Sequence, residues 1–178
     1  MILSHQEIVS LHNWREVISP FYPEKVVHAK TGTTYGCGAC GYDIRIREDI
    51  WLGHGDFKLA SALEYIDMPE DLAAFVTDKS SLARIGIAVQ NTKIDPGWRG
   101  YLTLELSNHS LTPVHLIAGQ PIAELTFQML DQPTDRPYQG KYQDQPPHPV
   151  GALVEPSSAV TESPTISAIV EKKRVSGC

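Results

Sequence analysis

The chain has 178 residues, 42% of them hydrophobic and 20% charged, with a net charge of −6 and three cysteines. That length suits one domain with an appended tail, able to bury roughly 70% of its extended-chain surface without a disulfide scaffold. The negative charge excludes a binder of nucleic acid polymers, which needs a basic face, so any anion site has to be a local pocket.

The first residues carry no basic-then-apolar leader, and no apolar stretch approaches a membrane span, so a cytoplasmic protein without membrane contact is expected. Ser4-His5-Gln6-Glu7 matches a capping box ahead of Ile8, Val9 and Leu11 and predicts a short helix. Trp14 to Lys30, interrupted by Pro20 and Pro23, reads as irregular with brief extended pieces, and the Gly- and Thr-rich Thr31 to Gly41 as loop. Alternation then predicts strands at 42–47, 57–66, 73–77, 85–90, 101–107, 114–117 and 122–127, with one helical turn at Ser80–Arg84. Many short strands at this spacing predict an all-β sandwich or barrel with minor helix. The core is placed in residues 1–130. Residues 131–149 are rich in Pro, Gln, Tyr and Asp and too poor in apolar residues to build core. Residues 150–178 read as a poorly ordered extension, with Lys172-Lys173-Arg174 as a solvated end.

Cys37-Gly38-Ala39-Cys40 has the spacing of half a structural zinc site, but the sequence has no second ligand pair, so buried or loop cysteines are expected. The seven histidines show no ligand spacing, and there is no nucleophile elbow, phosphate-cradling Walker loop or dinucleotide fingerprint. No metal ligand is therefore assigned. Lys79-Ser80-Ser81-x-x-Arg84 is more informative. Two hydroxyls with flanking cations at the start of a turn suit phosphate oxygens, Arg as a planar fork and Lys as a point charge, although the same residues also suit a surface loop with a helix cap. In the strand 101–107, alternation puts Leu102, Leu104 and Leu106 on the core face and Tyr101, Thr103, Glu105 and Ser107 on the other. Glu105 is then a lone mid-strand carboxylate off the core, either a solvated residue or a chemical one. Asp95-Pro96-Gly97-Trp98 is a turn signal with an anchoring aromatic.

Together these segments resemble the deoxycytidine triphosphate (dCTP) deaminase family, which shares its fold with the trimeric deoxyuridine triphosphatases. The resemblance rests on Gly41-Tyr42-Asp43-Ile44-Arg45, Lys79 to Gly86, Ile94 to Gly100, Leu102 to Asn108, Ala118 to Ala123 and Gly140 to Gln145, in order within about Leu3 to Gln145. It implies a distorted jelly-roll β-barrel assembled as a homotrimer with sites between subunits, and hydrolysis of dCTP to dUTP and ammonia without zinc. In that frame Glu105 is the general base that activates water, and Ser80 and Arg84 hold the base-and-water network. Lys79, Ser81 and Lys141, with the neighbouring Leu82 and Ala83, face the triphosphate, which carries Mg²⁺. Asp95 meets the deoxyribose. Backbone at Thr103, Leu104 and Glu105 reads the pyrimidine edge, and Tyr138 and Gln145 come from residues 131–149, acting as a lid. Departures are Glu124 where Gln is frequent, Lys79 where Arg is frequent, and Pro146-Pro147 where a Gly is common.

Three other readings fit the same frame. A deoxyuridine triphosphatase would use Asp95 to activate water against the α-phosphate, but GKYQDQ replaces the Gly-rich C-terminal motif of those enzymes. A bifunctional enzyme would take dCTP to dUMP and pyrophosphate. A nucleotide-binding regulator would keep the barrel without the chemistry.

Overall fold

The computed structural model describes residues 1–154. The elements are α1 (His5–Arg15), β1 (Ile18–Ser19), β2 (Val26–Val27), β3 (Thr34–Cys37), β4 (Tyr42–Arg45), β5 (Ile50–Leu52) and β6 (Phe57–Asp67). There follow β7 (Leu72–Asp78), α2 (Ser80–Ala83), β8 (Ile87–Val89), β9 (Lys93–Ile94), β10 (Arg99–Asn108), β11 (Val114–Leu116) and β12 (Pro121–Met129). The fold is all-β with two short helices, as the punctuated alternation predicts. No helix among the described residues is long and apolar enough to cross a membrane.

The strands form three sheets with orders β1-β6-β10-β8, β11-β5 and β2-β3-β4-β12-β7-β9, every named pair antiparallel. Between them lies one apolar core, in which Ile44, Ile46, Leu52, Ile66, Leu72, Leu104, Leu106, Leu116, Ile122 and Leu125 are wholly buried. Each such side chain contributes about 1.5–3 kcal/mol on leaving water, so the strands are held by this shared interior rather than by their own propensity. The capping box closes α1: the Ser4 N–H and hydroxyl both donate to Glu7 Oε2, at 2.8 and 2.9 Å.

Two expectations are corrected. Thr34–Cys37, read as loop, is a strand because it pairs with β4 (Gly36 opposite Asp43, Cys37 opposite Tyr42), and a cross-strand partner outweighs Gly and Thr content. The strand expected from 85 begins at Ile87, since Ile85 and Gly86 donate to Leu82 and Ala83 carbonyls and prolong the α2 turn.

Strand β10 decides where the site lies. Its register with β6 slips between Tyr101 and Thr103: Tyr101 opposes Tyr65, but Thr103 opposes Ser61, so two steps on β10 match four on β6. The surplus β6 residues include the buried Glu64, whose carboxylate accepts from the Arg45 N–H (2.8 Å) and Nε (2.6 Å). Burial pushes the Glu64 carboxyl up, and the two Arg45 donors oppose that shift. Leu104 and Leu106 are wholly buried as expected, and Leu102, half-buried, packs against the same core while also lining a cavity.

Candidate functional site

The cavity arises where the chain crosses from one sheet to another. Strand β8 pairs with β10 from Ile87 to Val89, and the Gln90 N–H donates to the Glu105 carbonyl at 2.8 Å. The chain then leaves that edge to form β9, which pairs with β7 in the six-stranded sheet. The gap left beside β10 is a cavity of about 410 Å³, within the range of small-molecule sites. Phe57 and Leu59 of β6 supply apolar lining; Asn91 to Asp95 and Trp98 supply a mainly polar stretch; Leu102, Thr103 and Glu105 of β10 line it as well. Tyr138, Tyr142, Gln145 and residues 150–152 complete the lining.

The turn at Asp95 is built as its residues dictate. Pro96 and Gly97 occupy its centre, Gly97 at φ 80°, and the Trp98 N–H donates to the Asp95 carbonyl at 3.1 Å, as a type II turn requires. A Cβ on Gly97 would lie 2.7 Å from Pro137 Cβ, so glycine also admits the C-terminal segment. The Trp98 indole N–H donates to the Tyr142 carbonyl at 2.7 Å. Asp95 is ion-paired with Lys93.

Residues 131–149 run back along β10. Gln145 lies beside Gly100, whose φ of 141° and missing Cβ permit an approach in which a side chain would meet Gln145 N at 2.5 Å. The Tyr101 N–H donates to the Gln145 carbonyl at 3.0 Å, and Arg99 Nε to Asp144 at 2.6 Å. Gln145 Oε1 accepts from both the Thr103 N–H and the Thr103 hydroxyl, each at 3.1 Å. The packing continues past 149: the Val150 N–H donates to Thr103 Oγ1 at 3.0 Å, and the Leu153 N–H to the Tyr142 hydroxyl at 2.9 Å. The rest of the extension, including Lys172-Lys173-Arg174, lies outside the described residues.

The structure thus brings Asp95, Thr103, Glu105, Tyr138 and Gln145 around one cavity. It places the 79–84 cluster elsewhere. Ser80, Ser81, Ala83 and Arg84 are exposed on and beside α2 and do not line the cavity. Leu82 is a core residue, and Leu104 is wholly buried, so only its backbone is open to a ligand role. Lys79 is tied inward: its ammonium donates to Asp43 Oδ2 at 2.7 Å, and Lys25 pairs with the same oxygen. Asp43 is 2% exposed, which gives the GYDIR segment a task, anchoring the base of the cationic turn. Lys141 is exposed, its ammonium 5.6 Å from the Tyr142 ring centre. Cys37 is buried and Cys40 exposed; burial pushes the Cys37 thiol up.

Sequence reasoning missed Asn91, Lys93 and residues 150–152. Asn91 and Lys93 fall in a short link with no periodicity, and the only local signal was their place just before the Asp-Pro-Gly turn.

The dCTP deaminase-like family matches residues 42–130. The dCTP deaminase, dUMP-forming, of Sulfurihydrogenibium sp. (strain YO3AOP1) is 34% identical over 125 residues, covering 70% of this chain and 69% of that protein. The dCTP deaminase of Campylobacter fetus subsp. fetus (strain 82-40) is 32% identical over 162 residues, covering 73% of this chain and 86% of that protein. The match spans only half the length of the Aquifex aeolicus dCTP deaminase, dUMP-forming, at 44% identity. Among solved structures, a mutant dUTPase from phage phi11 of S. aureus aligns with a TM-score of 0.51 at 14% identity, covering 67% of this chain and 97% of that one. At that identity the likeness shows the shared jelly-roll-like fold alone.

Proposed function

This chain belongs to the dCTP deaminase-like family, and from that premise we propose that it is a hydrolase that removes the amino group of dCTP as ammonia, leaving dUTP. The observation that carries the proposal is Glu105: half-buried, lining the cavity beside Asp95, Thr103, Tyr138 and Gln145. Glu105 takes a proton from water, the hydroxide adds to the ring carbon bearing the amino group, and Glu105 returns the proton to the departing ammonia. Positioned proton transfer of this kind supplies about 10²–10⁴-fold. No zinc takes part. The nucleotide arrives with Mg²⁺ on its phosphates, as Mg²⁺ is usually held in nucleotide sites.

Asp95 meets the deoxyribose, and within the Thr103–Glu105 backbone it is the Thr103 N–H that reads the pyrimidine. In the structure the Thr103 N–H is taken by Gln145. Base recognition there exchanges this bond, the cheaper one to release because residues 131–149 bury few apolar side chains. That segment acts as the lid, carrying Tyr138, Lys141 and Gln145. Ser80, Ser81 and Arg84 lie outside the cavity of their own chain, so the site is completed by a second copy in a homotrimer. In it Ser80 and Arg84 meet the base-and-water network, and Lys79 and Ser81 meet the triphosphate.

A second reading is favoured by the presence of Asp95 and Glu105 in one cavity and by relatives named as dUMP-forming. The same site would then also hydrolyse at the α-phosphate, giving dUMP and pyrophosphate. Incubation with Mg²⁺ and dCTP, followed by assay of ammonia and separation of nucleotides, decides between them. Ammonia with dUTP supports the first reading, and ammonia with dUMP and pyrophosphate the second. No ammonia overturns both.

A further inference from the structure

The edge of β10 that faces the cavity loses its neighbour just at the proposed base. Beyond Gln90 the chain turns away toward β9, and the next pair of backbone groups on β10, the Glu105 N–H and the Thr103 carbonyl, has no strand to meet. The side chain of Asn91 takes that place. Its Oδ1 accepts from the Glu105 N–H at 3.1 Å, and its Nδ2 donates to the Thr103 carbonyl at 2.7 Å. A carboxamide carries one acceptor and donors in the arrangement of a peptide group, so Asn91 continues the antiparallel ladder by one rung with a side chain. Glu105 is thereby bonded on both sides of its Cα, through its N–H to Asn91 and through its carbonyl to Gln90.

We propose that Asn91 is a positioning residue for the deamination, clamping the Thr103–Glu105 backbone so that the Glu105 side chain stays aimed into the cavity. This rests on the function proposed above. Asn91 acts through Glu105 and not on the nucleotide, because both ends of its carboxamide are already engaged with β10. Ser or Thr cannot span both groups, and Asp lacks the donor for Thr103. A slight misplacement of a catalytic group costs as much as about 10²-fold, so the clamp should register in turnover rather than in affinity.

The test is Asn91→Ala in the full chain, read by dCTP kinetics and by backbone amide hydrogen exchange at Glu105. The expected result is at least about tenfold faster exchange at that amide, a kcat lower by about 10- to 100-fold, and a KM for dCTP within about threefold of the original. Unchanged exchange at Glu105 overturns the clamp whatever the activity does. Faster exchange with kcat retained overturns its catalytic role. A raised KM with intact kcat makes Asn91 a substrate contact instead. Failure of the unaltered protein to release ammonia from dCTP sinks the deaminase reading and the catalytic half of this proposal with it, while the exchange measurement still decides whether the clamp exists.

Discussion

The wall built on β10 and the turn from Lys79 to Arg84 carry comparable numbers of polar side chains but stand in opposite states. The wall is finished within one chain: Asn91, Thr103, Glu105 and Gln145 are linked by hydrogen bonds around a defined cavity. The turn is anchored at its base, Lys79 to the buried Asp43, while Ser80, Ser81 and Arg84 stand exposed. An anchored base with an open tip is what a group offered to a second molecule requires. On the function proposed above, the contrast separates residues that meet the ring within their own chain from residues that reach the nucleotide only in another copy.

The most severe way to test the wall is Glu105→Gln. It keeps the shape and removes the base, and dCTP turnover should fall about 10²–10⁴-fold; a loss under tenfold would remove Glu105 from the mechanism. The anchor of the turn is tested by Asp43→Ala. With two ammonium groups left facing a buried vacancy, unfolding free energy should drop by about 3 kcal/mol, the low end for a broken buried pair because Lys25 remains about a third exposed. Denaturant unfolding measures this, and an unchanged midpoint would show that Lys79 needs no anchor.

The division between wall and turn is tested by Arg84→Ala, expected to cost about 10²-fold in turnover through lost orientation. Co-expressed with Glu105→Gln chains, it should recover about a quarter of full activity, since random pairing of two chains restores one site in four. Failure to recover would place both groups in one subunit. The smallest effect lies outside both regions. His12 stacks on Phe21 at 3.9 Å between ring centres, its Nδ1 buried without a partner among the described residues, and burial holds its pKa below the ordinary 6.5. The unfolded chain then takes the proton first, so stability is lost as pH falls below about 6.5. His12→Phe should flatten the melting temperature on that acid side and leave turnover untouched.

Much of this was legible in the residues because the signals were local. Pro96-Gly97 specified its turn, Ser4 and Glu7 their cap, and Leu104 and Leu106 the buried face opposite Glu105. The cluster at 79–84 was recognisable as a set, but not as a set exposed on its own chain. Leu102 packs against the core as alternation predicts, but that it also lines a cavity follows from the strand missing beside β10, which no local signal announces. Asn91 carried no periodic signal at all, because its meaning comes from two backbone groups 12 and 14 residues away.

By itself the order of residues determined an all-β chain with short strands, a tight turn at Asp95 and a carboxylate on the non-core side of its strand. Each of these follows from neighbours within a few positions, through side-chain alternation and backbone sterics. The tertiary structure alone decided that this carboxylate faces a cavity, that Asp43 holds Lys79 and that residues 150–152 line the same space. Those outcomes depend on which strand leaves which sheet and in what register, a choice made by the pairing and burial of residues far apart in the chain.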